Sequence, residues 1–544
     1  MYGLTRRPVQ YNNDSPSISG HGRSQIFTPV TLPSGATLKN RLVKVAMYEH
    51  LAAIFGGPPN ALHCALYSTW AKGGWGMVIS GNVQVSGQHL TLGRDMVIPR
   101  TLSADSLRPF QQLAASIRGD AQAKSSDDLG GPLAIMQLSH AGRQSPTILG
   151  GRPPFVPALA PSPLALGQPS RSSSHVNAKY GWFSRLILRA AFQTPQAMTA
   201  SDIEEVIDGF VRGARVALES GFNGIELHAS HGCEFVFTFV DLPMQSNIRR
   251  DEYSAETNPL HLLHRITAAI RAVVPSHFVL GVKINSADYI DAGSSSANGQ
   301  VGLGTEGRAV GHVAEIASWG MVDFIEISGG DYENPEFMAT SGQALFSRFA
   351  RRARTAVQNL GPSASTLPLI LLTGGLRSPE IMNEVLLQGH ADILGIGRGS
   401  VLRPDLPRVL SSYLDQPSGA GGPVSHQLYE SIVPSLPDLS YPNTPIVHAL
   451  SRIFTSLGIF PLPKLIGAGL GMAWYVVMMR RLARGRRADY KMGGIQAMVA
   501  MWAKEMQVIF VLLILVASSV SVWMYRTPGW GRKVQDGRIP EHAL

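Results

Sequence analysis

The sequence predicts an α/β chain: a (β/α)8 barrel of the TIM type, then a C-terminal helical extension and one transmembrane helix. Three observations predict it. Between Arg41 and Ser400, eight short apolar runs alternate with amphipathic stretches, the count and length of a parallel barrel. The last two runs end in glycine-rich turns, where such barrels commonly bind phosphate. Near the C-terminus, the run from Val508 to Tyr525 (VIFVLLILVASSVSVWMY) carries no charge. A doubly wound sheet is the alternative, but no GxGxxG turn follows the first strand.

Taken in order, the predicted strands cover residues 42–47, 77–81, 133–138, 224–227, 279–284, 324–327, 369–373 and 393–396. Helical periodicity places helices at 61–72, 201–219, 259–274, 311–319, 379–387 and 401–413. Ser201 with Glu204 has the spacing of a capping box, and Ser378 before Pro379 is a second start signal. Residues 145–197, rich in proline and serine, lack periodicity and follow the third strand, where a covering loop would lie. The expected organisation is a disordered lead-in (1–25), the barrel (26–415), an extension with helices (416–506), the spanning helix (507–526) and a polar tail (527–544).

Composition narrows the function. A chain of 544 residues with 44% hydrophobic and 16% charged residues can bury a large core. Its two cysteines, Cys64 and Cys233, argue against a disulfide framework and for a reducing compartment. The net charge of +9 is not interleaved with aromatics as a nucleic-acid surface would be, so no nucleic-acid partner is expected. Its densest cluster, Arg480, Arg481, Arg484, Arg486 and Arg487, precedes the apolar run and reads as membrane topology. Trp523 and Tyr525 suit an interfacial belt, and the flanking charge places the barrel on the cytosolic side of an intracellular membrane. The segment 465–479 is too short and glycine-broken to span, so it packs on the main domain or lies at the membrane surface.

The stretch GFNGIELHASHG (221–232) carries the most chemistry. Period-two alternation puts Glu226 and His228 on one face, with His231 in the loop that follows. Two imidazoles able to donate hydrogen bonds are what an oxygen gaining negative charge requires. Packed or metal-binding histidines are the ordinary reading of HxxH, but the pair lacks further ligands at neighbouring strand ends and no metal is expected. Lys283 shares a face with Val279 and Gly281 and points into the barrel, where a charge needs an anionic partner. That partner is Glu226 on the adjacent strand, or a cofactor. Gly374-Gly375 and Gly397-Arg398, at the ends of strands seven and eight, form the phosphate site.

From about Phe27 to Tyr413 the chain resembles the old yellow enzyme family of FMN-dependent ene-reductases. The likeness rests on LKNRLVKVAM (38–47), GMVISGNV (76–83), QLSHAGRQ (137–144), GFNGIELHASHG, NIRRDEY (247–253), GVKINSADY (281–289), DFIEISGG (323–330), LLTGGLRS (371–378) and ADILGIGRG (391–399), in family order. The resemblance implies FMN across the barrel mouth. Ala46, Met47, Tyr48 and Gly81 would line one flavin edge and Gln137 would bond its pyrimidine ring. Lys283 would sit near the N1–C2 carbonyl edge, while Gly375, Gly397 and Arg398 would grip the phosphate. NADH or NADPH would reduce the flavin, which would reduce the C=C bond of an enone-type small molecule held by His228 and His231.

The chain departs from the family pattern twice. Cys233 stands where the family has its proton-donating tyrosine, and Tyr48 where it commonly has a small polar residue. A thiol is acidic enough to donate but shorter than a phenol, so Tyr48 is expected to replace the absent tyrosine in part. A flavin-dependent isomerase or dehydrogenase on the same scaffold, or an idle FMN-binding module anchored in a membrane, are the alternative readings. Oligomeric state and substrate identity are not legible.

Overall fold

The computed structural model describes residues 24–119, 130–153, 155–165, 188–230, 248–254, 257–285, 303–328, 343–361, 366–376, 378–414 and 464–503. Eight parallel strands form the centre: β1 (Leu42–Lys44), β2 (Met77–Ile79), β3 (Leu133–Ser139), β4 (Gly224–Ala229), β5 (Val279–Asn285), β6 (Phe324–Ser328), β7 (Leu369–Thr373) and β8 (Ile393–Ile396). β8 pairs with β1 and β3 with β4, so the sheet closes on itself. All eight overlap the runs predicted from apolar pattern. β1 stops at Lys44 rather than at residue 47, so Tyr48 lies on the loop beyond it.

The helices follow strand by strand: α1 (Ala61–Ala71), α2 (Ala104–Arg118), α3 (Ala200–Glu219), α4 (His261–Arg271), α5 (Leu303–Ser318), α6 (Gln343–Gln358) and α7 (Pro379–Leu387). After β8 come α8 (Arg398–Leu402) and α9 (Leu406–Leu414). The single helix expected at 401–413 is thus two, because Pro404 offers no N–H and closes α8 at Arg403. The start expected at Ser201 also moves. Thr199 is the N-cap, its side chain accepting from the Asp202 N–H while the Asp202 carboxylate accepts from Thr199. Ser378 caps α7 as expected, accepting from the Ile381 N–H with Pro379 in the first turn.

Alternation along the strands separates two cores. Val43, Met77, Ile79, Ile135, Val279, Phe324, Leu371 and Ile393 fill the barrel interior, closed below by Leu32 and Leu38 of the N-terminal hairpin. The opposite faces (Leu42, Val78, Met136, Leu227, Val282, Ile325, Ile370 and Leu394) pack against the helices. Gly281 is required here: a Cβ would lie 2.1 Å from the Phe324 ring.

The extension contributes α10 (Lys464–Leu482), which packs on α1 and α8. Trp474, Val476, Met478 and Met479 are fully or almost fully buried, and the Trp474 indole donates to the Met492 carbonyl. Of the two placements expected for this segment, the structure shows packing on the main domain. Part of the basic cluster is accounted for inside the protein. Arg480 donates to the Ala500 and Met501 carbonyls, and Arg481 donates to the Arg487 carbonyl and pairs with Asp489. No helix among the described residues is long and apolar enough to cross a membrane. The lead-in, the 507–526 segment and the polar tail lie outside the described residues, apart from Ser24 and Gln25.

Of the 145–197 segment, the described parts fold back onto the loop after β2. Residues Leu159–Ala160 pair with Gln196–Ala197. Arg152 binds the Ser145 hydroxyl and carbonyl and the Gln88 carbonyl.

Candidate active site

The C-terminal ends of the strands bring the predicted residues to one mouth. His228 and Lys283 are register partners on β4 and β5, Lys283 and Glu326 on β5 and β6, and Gln137 and Glu226 on β3 and β4. Both His228 and Lys283 are 4% exposed. Burial, and then the nearby Lys283 ammonium, hold the His228 imidazole well below its ordinary pKa, so it is neutral. A neutral imidazole keeps one N–H to offer to an oxygen gaining charge. His231 and Cys233 lie outside the described residues.

The ion partner that the structure gives Lys283 is Glu326, on the strand beyond, rather than the expected Glu226. The Lys283 ammonium lies 2.8 Å from Glu326 Oε1. Register explains the correction: Glu326 stands directly across on β6, whereas Glu226 stands opposite Gly281. The Gln137 amide donates to Glu226 Oε2 at 2.6 Å. The charges of Glu226 and Glu326 act on each other inside the barrel, and two buried carboxylates so placed do not both ionise, so one proton is held at the pair. Burial, then the charge of Glu326, push Glu226 well above the usual carboxylate range, and the proton belongs there. Burial alone would raise Glu326 too, but the Lys283 ammonium beside it holds it below its ordinary value. The barrel floor beneath the mouth is therefore one ammonium, one carboxylate and one neutral acid.

The loop after β1 builds a side wall. Ala46 and Met47 pack, partly buried, against interior and outer cores respectively. The Gly81 N–H donates to Tyr67 Oη at 2.6 Å and to Glu49 Oε1 at 3.0 Å, and Tyr67 in turn bonds Glu49. A Cβ on Gly81 would meet Glu49 at 2.0 Å and the Met47 carbonyl at 2.3 Å, so only glycine lets the two loops close. Tyr48 Oη lies 3.3 Å from Asp95 Oδ2 and 3.2 Å from His50 Nδ1. Burial raises Asp95 above the usual carboxylate value, offset in part by bonds from Thr91, Gln84 and Leu92.

On the adjoining rim, Gly374 and Gly375 follow β7 at φ 109° and 73°, conformations open to glycine at little cost. Gly397 follows β8 beside Val45 and Met47, and half-buried Arg398 opens α8. A turn without side chains beside a guanidinium fits a phosphate. A buried ammonium below the mouth fits an electron-accepting ring that turns anionic. These residues fit FMN in donor type and in the space that the glycines leave.

Sequence reasoning missed Glu326, Glu49, Tyr67, Asp95 and His50. Glu326 was within reach, being an interior position two residues from Phe324 on a strand already recognised. Asp95 and His50 lie on loops and carry no periodic signal.

A parallel barrel with an interior cation, a neutral histidine and a glycine–arginine cradle at one mouth is a redox-cofactor barrel. Comparison with known proteins agrees. The chain belongs to the NADH:flavin oxidoreductase / NADH oxidase family, whose model matches residues 25–416. It is 35% identical over 403 residues to the NADH-dependent flavin oxidoreductase iliE of Neonectria sp. (strain DH2), a match covering 70% of this chain and 46% of that protein. The chain thus spans about half the length of that relative. It is 33% identical over 399 residues to the NADH-dependent flavin oxidoreductase iccE of Talaromyces variabilis, covering 70% of this chain and 85% of the relative. Solved structures share the fold. A 2-naphthoyl-CoA reductase matches with TM-score 0.56 and 20% identity, over 72% of this chain and 52% of its own. An old yellow enzyme homologue from Zymomonas mobilis matches with TM-score 0.51 and 19% identity, over 78% and 98%. The cofactor is FMN, with NADH or NADPH as hydride donor.

Proposed function

We propose that the chain is an ene-reductase that reduces the C=C bond of an α,β-unsaturated carbonyl compound. The observation that carries this is the pairing of neutral His228 with Lys283 across adjacent strand ends, at the mouth flanked by Tyr48. FMN, when bound, would supply the two-electron hydride chemistry that links NAD(P)H to the β-carbon of the substrate. Ala46, Met47 and Gly81 would line its one side, Gln137 and Lys283 would meet its ring, and Gly375, Gly397 and Arg398 would hold its phosphate. His228, with His231, binds the substrate carbonyl oxygen and stabilises its developing negative charge. Tyr48 gives the proton that completes reduction at the α-carbon, with Cys233 as the second candidate donor. The phenolate left behind regains its proton from solvent, and the balance is one NAD(P)H and one proton per saturated bond.

The test is product analysis. Enzyme reduced by NADH or NADPH without dioxygen, then given a panel of cyclic enones, yields the saturated ketone. A shifted double bond with no net reduction favours the isomerase reading instead. The run from Val508 to Tyr525 supports tethering to an intracellular membrane with the barrel on the cytosolic side. Alkaline carbonate extraction of cell membranes tests this, retention in the pellet being expected and release into the supernatant contradicting it.

A further inference from the structure

His50 is almost fully buried beside the mouth, and it adopts φ 54°, which a non-glycine residue holds only where its surroundings fix it. Two things fix it. Its Nδ1 lies 3.2 Å from Tyr48 Oη, and its ring meets the Trp502 ring edge-on, with centroids 4.7 Å apart and planes at 78°. Trp502 does not belong to the barrel. It lies at the far end of the extension, on the helical stretch 494–503, and Arg480 of α10 holds the turn before it through the Ala500 and Met501 carbonyls. α10 is itself anchored on α1 and α8.

We propose that the extension is part of the catalytic pocket: Trp502, steered by Arg480, positions His50, and His50 fixes the hydroxyl of Tyr48. This rests on the reading of Tyr48 as proton donor. His50 Nε2 is buried without a hydrogen-bond partner among the described residues, so the ring's useful polar contact is the one with Tyr48. Burial, then the charges of Arg480 and Arg94, lower its pKa to about 3, so the ring is neutral and carries a single N–H. With that proton on Nδ1, His50 donates to Tyr48 Oη and fixes the oxygen, while the Tyr48 proton rests on Asp95 in the empty site and turns to the substrate carbon without breaking the bond from His50. Once the Tyr48 proton has gone to the substrate carbon, the same N–H faces the phenolate and stabilises it until solvent returns a proton. Without Trp502 the ring loses its backing and the hydroxyl its fixed aim. Trp502 and His50 are positioning residues.

The experiment uses the full chain loaded with FMN and follows the two half-reactions separately. Trp502→Ala is expected to slow reoxidation by cyclohexenone by about tenfold to a hundredfold through kcat, with bleaching by NADH unchanged. Trp502→Phe, which restores an aromatic backing, returns most of the rate. Adding Trp502→Ala to Tyr48→Phe causes no further loss, because both act through one hydroxyl. Should Trp502→Ala fail to fold, His50→Phe, which keeps a ring against Trp502 but removes Nδ1, is expected to show the same loss and the same non-additivity. Wild-type reoxidation in these variants, loss of both half-reactions together, or losses that multiply with Tyr48→Phe each overturn the inference. If Tyr48→Phe is slow while the Trp502 and His50 variants are not, the inference alone fails. If Tyr48→Phe is itself without effect, the reading of Tyr48 falls and this inference with it.

Discussion

At Glu226 and Glu326, two buried carboxylates share one proton beside the Lys283 ammonium, and the two acids respond oppositely to substitution. Glu226 is held protonated, its folded pKa far above the ordinary carboxylate value. The folded state therefore binds a proton that the unfolded chain releases, and stability falls as pH rises above the ordinary carboxylate range. Glu226→Gln replaces the neutral acid with a neutral amide of the same shape. Its melting temperature relative to wild type is expected to climb between pH 6 and pH 9, a range over which ordinary carboxylates are already ionised. Glu326 has the reverse sign: its folded pKa is depressed, and its contribution is present above the unfolded value and lost as pH falls. Glu326→Ala strips Lys283 of its partner inside the barrel and is expected to cost about 3–5 kcal/mol by denaturant unfolding. His228→Ala leaves the floor intact and removes a donor to the substrate oxygen, so enone reduction is expected to drop about 10²–10³-fold in kcat. The shared face of Glu226 and His228 and the inward placement of Lys283 were legible from period-two alternation alone. The true partner of Lys283 was not, because register between strands is set by closure of the whole barrel.

At the scale of the element, helix α3 gives a direct comparison. Thr199→Ala removes the observed cap and is expected to destabilise by about 1 kcal/mol, whereas Ser201→Ala, the cap that spacing suggested, should change thermal unfolding little. Both positions precede a hydrophobic stripe and offer an acidic residue three positions on, so local pattern alone could not choose between them. The strands were the most legible elements, since continuous apolar runs bounded by turns survive in any context. Helix α2 escaped notice because Pro109 lies inside it, and α6 because its charged run FSRFARRARTAV masks the buried stripe of Phe349, Ala350 and Ala353. Glycine in β5 is a packing requirement. Gly281→Ala is expected to cost about 1–3 kcal/mol through collision with Phe324, read as a lowered denaturation midpoint.

Over the whole molecule, the barrel is a scaffold whose mouth is assembled from distant stretches of sequence. Residues 46–50 form one wall, β4 to β6 the floor, the turns after β7 and β8 the cradle, and the extension backs His50 through Trp502. The extension's role was the least legible part: its apolar composition points equally to a bilayer and to a neighbouring helix, and only the structure shows α10 against α1 and α8. The central claim is that this mouth holds FMN and passes hydride through it to an electron-poor double bond. An anaerobic absorbance titration of the purified full chain tests it most directly. The account predicts a yellow protein that bleaches with NADH or NADPH and regains its colour on addition of cyclohexenone. A protein that stays colourless after incubation with excess FMN, or that bleaches and is not recoloured by any enone, contradicts it.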